Sequence, residues 1–164
     1  MKTIIVLCSM CCLSFVSCSL TPDVEPPEAQ DISTIEYYKF TLGSNVTFTV
    51  TQDSVRCKQE LMDSKGKWTT LDTIQFSQKY LSSIVSTIPL KEFWNMDDIR
   101  SQKNISSDEM AYINITATSH QTLPTSPAST LSKMVKSSTG SFPESMNATQ
   151  HKIDSMIVLL TKRQ

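Results

Sequence analysis

Residues Val46-Thr47-Phe48-Thr49-Val50-Thr51 alternate apolar and polar without a break, a period of two that a helix, repeating every 3.6 residues, would scatter around its circumference. The stretch reads as a strand with Val46, Phe48 and Val50 on a buried face and three threonines on a wet one, as in an antiparallel sheet open to water on one side. The pattern recurs. Ile35 to Leu42 is aromatic and β-branched, and Gly43-Ser44-Asn45 joins it to the first stretch as a hairpin turn. Val55, Cys57 and Leu61 alternate with Arg56, Lys58 and Glu60, and Asp63-Ser64-Lys65-Gly66-Lys67 turns the chain into Trp68 to Phe76. Four consecutive strands with short turns form a meander. Ala111 to Thr118 is a further strand, with Ala111, Ile113, Ile115 and Ala117 on one face and Tyr112, Asn114 and Thr116 on the other; Thr130 to Ser137 is a candidate last one.

Two segments change period. After Ser77, Tyr80, Leu81, Ile84, Val85 and Ile88 fall at helical spacing and Pro89 ends the run. Leu90, Phe93, Trp94 and Met96 follow as a plug for the sheet, which needs covering. Ser141-Phe142-Pro143-Glu144 has the form of a capping box with Pro in the first turn, and behind it Met146, Ile153, Met156, Ile157 and Leu160 line one face of a helix whose last turn suits Lys162 and Arg163. Between the later strands, residues 119–129 make a Pro-rich loop. The expected architecture is α+β: an antiparallel sheet, a four-strand meander plus one or two later strands, with two helices packed on one face.

The N-terminus carries a different message. Lys2 precedes the apolar run from Ile4 to Val16, which is too short to span a bilayer and closes on Ser17-Cys18, the layout of a secretory signal peptide over residues 1–17. Residues 19–33 lack apolar periodicity and carry three prolines and four acids, so 18–33 reads as a tether and 34–164 as a single domain. Four of the five cysteines sit in the leading segment, and Cys57, alternating with charged neighbours in a strand, reads as a small buried apolar residue rather than a reactive thiol.

Charge and composition exclude more than they assign. The exported chain would hold 147 residues, enough for one core without disulfides, and its net charge of about −2 has no basic stripe interleaved with aromatics, so nucleic acid is not an expected partner. His120 and His151 stand far apart without a Cys or acid at ligand spacing, and three glycines make no phosphate cradle and no nucleophile elbow. The acid pairs Asp97-Asp98 and Asp108-Glu109 read as solvated loop charge. The expectation is a chain with no metal, no cofactor, no catalytic residue and no enzymatic activity.

Phe15-Val16-Ser17-Cys18 resembles the lipobox of bacterial lipoproteins, with Phe15 departing from the usual first position. That resemblance implies that Cys18 is lipidated and becomes the N-terminus, acyl chains such as palmitate then holding the domain to a membrane at roughly 0.8 kcal/mol per buried methylene. Asp23, Glu25, Glu28 and Asp31 are spread along the tether rather than packed into the acidic block that sends some Bacteroidota lipoproteins to the cell surface, so the outer membrane is the expected address with the periplasmic and surface faces both open. The alternative is a plain secretory cut after Cys18. It draws on the sequons at Asn45, Asn104, Asn114 and Asn147, glycosylation acceptors in a eukaryotic secreted protein, of which Asn114 is poorly placed inside a strand. Ser54 and Thr73, in Asp53-Ser54-Val55 and Asp72-Thr73-Ile74, together with Asp154-Ser155-Met156, look like the O-glycosylation sites of Bacteroidota envelope proteins, while turn and cap chemistry explains the same triplets.

The order of elements resembles small Bacteroidota lipoproteins of unknown role and, more remotely, emfourin-type inhibitors of metalloproteases. The residues that carry this are Ile35-Glu36-Tyr37-Tyr38, Leu42-Gly43, Val46 to Val50, Tyr80 to Pro89, Phe93, Tyr112-Ile113-Asn114-Ile115, and Phe142-Pro143 followed by the helix to Leu160. Only Gly43 stands where those inhibitors have a glycine-rich first turn, and the insertion after Thr118 has no counterpart, so no inhibitory loop carries over. The expected function is a non-catalytic, lipid-anchored envelope module presenting a sheet face or loop to a protein or glycan partner, with a protease inhibitor and a secreted glycoprotein as alternatives.

Overall fold

The structure, a computed structural model, describes residues 26–97, 109–119 and 129–162. The leading segment with Cys18, the tether before Pro26, Asp98, Asn104, Asp108, His120 and the body of the Pro-rich loop lie outside them. The chain runs β1 (Ile32–Thr41), β2 (Ser44–Thr51), β3 (Ser54–Met62), β4 (Trp68–Phe76), α1 (Lys79–Val85), α2 (Leu90–Trp94), β5 (Glu109–Ser119), β6 (Ser129–Ser137) and α3 (Asn147–Thr161), with short 3-10 turns at Ala29–Asp31 and Glu144–Met146. The six strands form one sheet in the order β4-β3-β2-β1-β5-β6, every neighbouring pair antiparallel. The fold class is α+β, as the alternation implied.

Turn chemistry sets the register of the meander. Leu42 and Gly43 close the first hairpin; Gly43 adopts φ 86°, a region that costs an L side chain energy, and its carbonyl accepts the Met62 amide at 2.8 Å. In the third hairpin the Asp63 carboxylate accepts the Lys65 and Lys67 amides at 2.8 and 2.9 Å, an Asx turn that leaves Gly66 free to take positive φ.

Pleating then sorts the residues. Ile35, Tyr37, Phe48, Val50, Val55, Cys57, Ile113, Ile115 and Val135 point to one face and are buried, where Leu81 and Ile84 of α1, Phe93 of α2 and Ile153, Met156 and Leu160 of α3 meet them. Each such side chain contributes about 1.5–3 kcal/mol by leaving water. Cys57 is among them, free and buried, with its thiol pushed up to about 11 by burial and by nearby Asp72. No helix among the described residues is long and apolar enough to cross a membrane.

Several boundaries differ from the sequence reading. β1 begins at Ile32, inside the stretch assigned to the tether, because Ile32 is a core residue at 2 % exposure. The first helix stops at Val85 instead of reaching Ile88, and the Leu90–Trp94 plug is itself a short helix, so three helices rather than two cover the sheet. The Ser141 capping box does not form. Pro143, at ψ 159°, instead accepts the Met146 amide to close a 3-10 turn, and Ser141 uses its carbonyl to accept the Ser137 hydroxyl at 2.5 Å.

Thr149 sits in the buried stripe of α3 at 0 % exposure, where the sequence reading placed only apolar residues. Its hydroxyl donates to the Thr87 carbonyl at 2.8 Å, tying α3 to the chain just after α1. Thr149→Val keeps the shape and removes the donor. It is expected to cost about 1 kcal/mol, read as a lower midpoint with an unchanged slope in urea unfolding.

Candidate functional site

The helices cover one face of the sheet; among the described residues no element packs on the other. On β1 and β5 that open face carries Thr34, Glu36, Tyr38 and Phe40 opposite Thr116, Asn114, Tyr112 and Met110. The cross-strand pair Tyr38–Tyr112 is stacked, with ring centroids 5.2 Å apart and planes at 20°. One row away the Asn114 amide donates to Glu36 at 3.0 Å and accepts the Ser132 hydroxyl at 2.8 Å, which fixes the carboxylate beside the rings.

β2 contributes a polar column, Asn45, Thr47, Thr49 and Thr51, and β3 and β4 contribute charge. Arg56 clasps Asp72 through Nε to Oδ1 at 3.0 Å and Nη2 to Oδ2 at 2.5 Å, which holds the Asp72 carboxyl below the usual carboxylate range and raises the guanidinium. Lys58 meets Glu60 at 2.7 Å, and with the Asn45 amide at 3.3 Å it keeps the Glu60 carboxyl ionised to lower pH. The charged groups of β3 and β4 thus neutralise one another within the sheet. Around them stand large apolar side chains that folding leaves wet: Met62, Trp68, Ile74, Phe76, Met110 and Met134, with Phe76 84 % exposed. A sheet face of mixed polar, aromatic and apolar side chains suits contact with another large surface better than capture of a small molecule.

Two hollows among the described residues offer less. A shallow notch between α2 and the turn before α3 is walled by Pro89, Leu90, Met96 and Pro143. A groove along α3 holds His151, Asp154, Val158 and Leu159. Here Tyr37 lies beneath the surface at 1 % exposure, and its hydroxyl has no hydrogen-bond partner among the described residues; Gln150 comes near it outside bonding geometry. Burial, with the charge of Asp154, pushes that phenol far above its ordinary value. Burial also raises the Asp154 carboxyl, against the opposing pull of Lys39 and His151. Among the described residues no three of His, Cys, Asp and Glu gather closely enough to hold a metal ion.

The raised Asp154 value sets the sign of a pH effect. A carboxyl that binds its proton more tightly when folded makes the folded state lose ground as pH rises from the unfolded pKa, about 3.9, through the higher folded one. Asp154→Asn is neutral throughout, so its stability relative to the parent is expected to be higher at pH 7 than at pH 3.5. Urea titrations of both chains at the two pH values measure this, and an unchanged difference would contradict it.

The sequence-named modification residues are scattered over the domain. Asn45 stands mid-row on the open face with its amide engaged by Glu60 and its Oδ1 buried. Asn147 is exposed at the first position of α3, while the Thr149 of its own sequon is wholly buried. Asn114 lies inside β5 with both ends of its amide bonded. Ser54 begins β3 and shares a 3.0 Å hydrogen bond with Thr51, while Thr73 of β4 lies on the covered side opposite Cys57. Cys18 and Asn104 lie outside the described residues. What the sequence reading missed is the stacked pair. The alternation puts Tyr112 on the polar face of its strand, but nothing local in the sequence shows that Tyr38 is its neighbour. Compared with known proteins, the chain matches no family model, no curated sequence and no solved structure.

Proposed function

We propose that the chain is a non-catalytic binding module of a bacterial cell envelope, held to the membrane by lipid on Cys18 and contacting a protein or glycan through the open face of its sheet. The observation that carries the reading is that face: a sheet surface on which no other described element packs, with a stacked Tyr38–Tyr112 pair, two ion pairs on β3 and β4 and wet apolar side chains at its margins. The address rests on the apolar run that ends at Ser17-Cys18 and on the Pro-rich, acidic stretch behind it.

Labelling of cells with radioactive palmitate tests the anchor. The parent chain is expected to take up label and to sediment with membranes, and Cys18→Ala to lose both; a variant that stays membrane-bound without label sinks the assignment. The face has its own test, on a panel of immobilised oligosaccharides and envelope proteins. Tyr38→Ser combined with Tyr112→Ser is expected to weaken binding by about tenfold or more, while the circular dichroism spectrum stays that of the parent, since neither ring belongs to the core.

A further inference from the structure

Turn positions in a meander go by preference to Gly, Asn, Asp, Ser or Pro, and Leu42 is none of these. It sits ahead of Gly43 in the two-residue loop between β1 and β2, beyond the last pair Thr41–Ser44, and is 79 % exposed. β3 ends beside that loop: the Met62 amide donates to the Gly43 carbonyl, and Met62 is paired in turn with Trp68 at the start of β4. Leu61, Met62 and Trp68 are 39, 40 and 45 % exposed. Met62 and Trp68 lie on the open face and Leu61 on the other, so apolar side chains of both faces gather at one end of the sheet. A partner resting on the open face would reach Met62 and Trp68 alone. One that also reaches Leu42 and Leu61 must meet the sheet end-on.

Charge selects the partner. Lys65 and Lys67 stand in the turn between Met62 and Trp68, exposed, and no carboxylate among the described residues pairs with either ammonium group. Asp63 of the same turn directs its Oδ1 to their backbone amides. Glu109 is at this end too, but on β5, four strands from β4 and roughly 19 Å away. The opposite end of the sheet exposes an aromatic ring as well, that of Phe76, but sets it among acids. There the Ser77 amide donates to the Asp53 carbonyl, and the turn that holds Glu28 and Asp31 packs alongside, against one lysine, Lys79. An indole and aliphatic side chains flanked by lysines, whose stems lie along hydrocarbon while the ammonium groups stay wet, are what a bilayer interface takes up.

We infer that the Leu42–Met62–Trp68 end of the sheet dips into the surface of a membrane that carries anionic phospholipid, with Lys65 and Lys67 on the phosphate groups. Leu42 and Trp68 enter the boundary between headgroups and acyl chains, about 5–10 Å deep. This contact is separate from the partner face proposed above and needs no lipid on Cys18, yet the two membrane contacts are compatible. The chain from Cys18 to Ile32 extends at most about 50 Å, and the ten residues of β1 span about 33 Å, so an anchor at Cys18 lets the far end reach the same bilayer. The sheet then stands upright on the membrane, with Tyr38 and Tyr112 facing sideways toward a partner.

Quenching of tryptophan fluorescence by brominated acyl chains tests the inference on the full chain reconstituted into vesicles, where the bilayer holds the chain whatever its N-terminus carries. The sequence has two tryptophans, so Trp94→Phe leaves Trp68 alone to report. In vesicles of phosphatidylglycerol and phosphatidylcholine at about 3:7, a negative surface, Trp68 is expected to be quenched strongly. In a chain carrying Trp68→Phe, Trp94→Phe and Phe76→Trp, whose reporter stands at the acidic end, quenching is expected to be at least about fivefold weaker, because only the inserted end comes near the acyl chains. Lys65→Glu together with Lys67→Glu is expected to lower Trp68 quenching about tenfold, and so is pure phosphatidylcholine. Circular dichroism is expected to match the parent for every variant. Equal quenching at the two ends overturns the inference, as does Trp68 quenching that survives both lysine changes. Palmitate labelling reads the Cys18 anchor separately, so either contact can fail without the other.

Discussion

Phe93→Ala is expected to destabilise the fold by about 3–5 kcal/mol, a large share of the roughly 5–15 kcal/mol that a domain of this size has in total. α2 is five residues long, too short to hold itself in water, so its helical form depends on what it packs against. Phe93 is its one wholly buried side chain, at 0 % exposure, with Leu90, Trp94 and Met96 packed half-buried around it. Truncating it removes a ring from the core and also releases the short helix that keeps water off the sheet. Urea unfolding of parent and variant measures the cost, and Leu90→Ala, at a partly wet position, is expected to cost less than half as much. A Phe93→Ala penalty under about 1 kcal/mol would show that α2 is a surface feature and not part of the core.

The plug reading was legible because four large apolar residues after a proline have few places to go on a small sheet. The helix before it was less legible, and the reason is chemical. Ser82, Ser86 and Thr87 donate their hydroxyls back to the carbonyls of Lys79, Ser83 and Ile84, which competes with the helical ladder just where Pro89 already discourages its continuation. Apolar spacing marked the face that is buried, and it carried no sign of where the ladder stops. The start of β1 was hidden in a similar way, since Ile32 follows a run of prolines and acids that reads as tether.

Sheet order lies deeper. The meander follows from short turns, because a two-residue loop leaves the next strand nowhere to pair but beside the last. That β5 returns to lie against β1, with Tyr38 opposite Tyr112, depends on contacts between residues far apart in the chain, which no local period records. The open face was therefore legible one strand at a time, as threonines here and Tyr112 with Asn114 there. Its assembly into a surface needed the fold. The same holds for Thr149, whose polar side chain looks out of place on an apolar stripe until the Thr87 carbonyl is brought opposite it.

A single alanine inserted between Ile113 and Asn114 is expected to abolish folding, whereas the same insertion between Lys65 and Gly66 costs about 1 kcal/mol. In β5 the insertion turns every following residue over. Ile115 and Ala117, both at 0 % exposure, move to water, while Asn114, Thr116 and Thr118 move under the helices. Lost burial amounts to roughly 2–3 kcal/mol, and each polar side chain left inside without a partner adds about 1–3 kcal/mol. The total exceeds about 5 kcal/mol, the lower end of the stability of such a domain. A bulge offers little escape, since β5 lies between β1 and β6 and an extra residue must break both ladders at the row of Glu36, Asn114 and Met134. The third hairpin has no such constraint: Gly66 has no atom within 4 Å of where a side chain would begin, and Asp63 to Lys67 are all exposed. Circular dichroism and urea unfolding of the two insertion variants give the comparison. A folded β5 variant of near-parental stability would mean that the alternation of Ala111, Ile113, Ile115 and Ala117 does not set the register of the sheet.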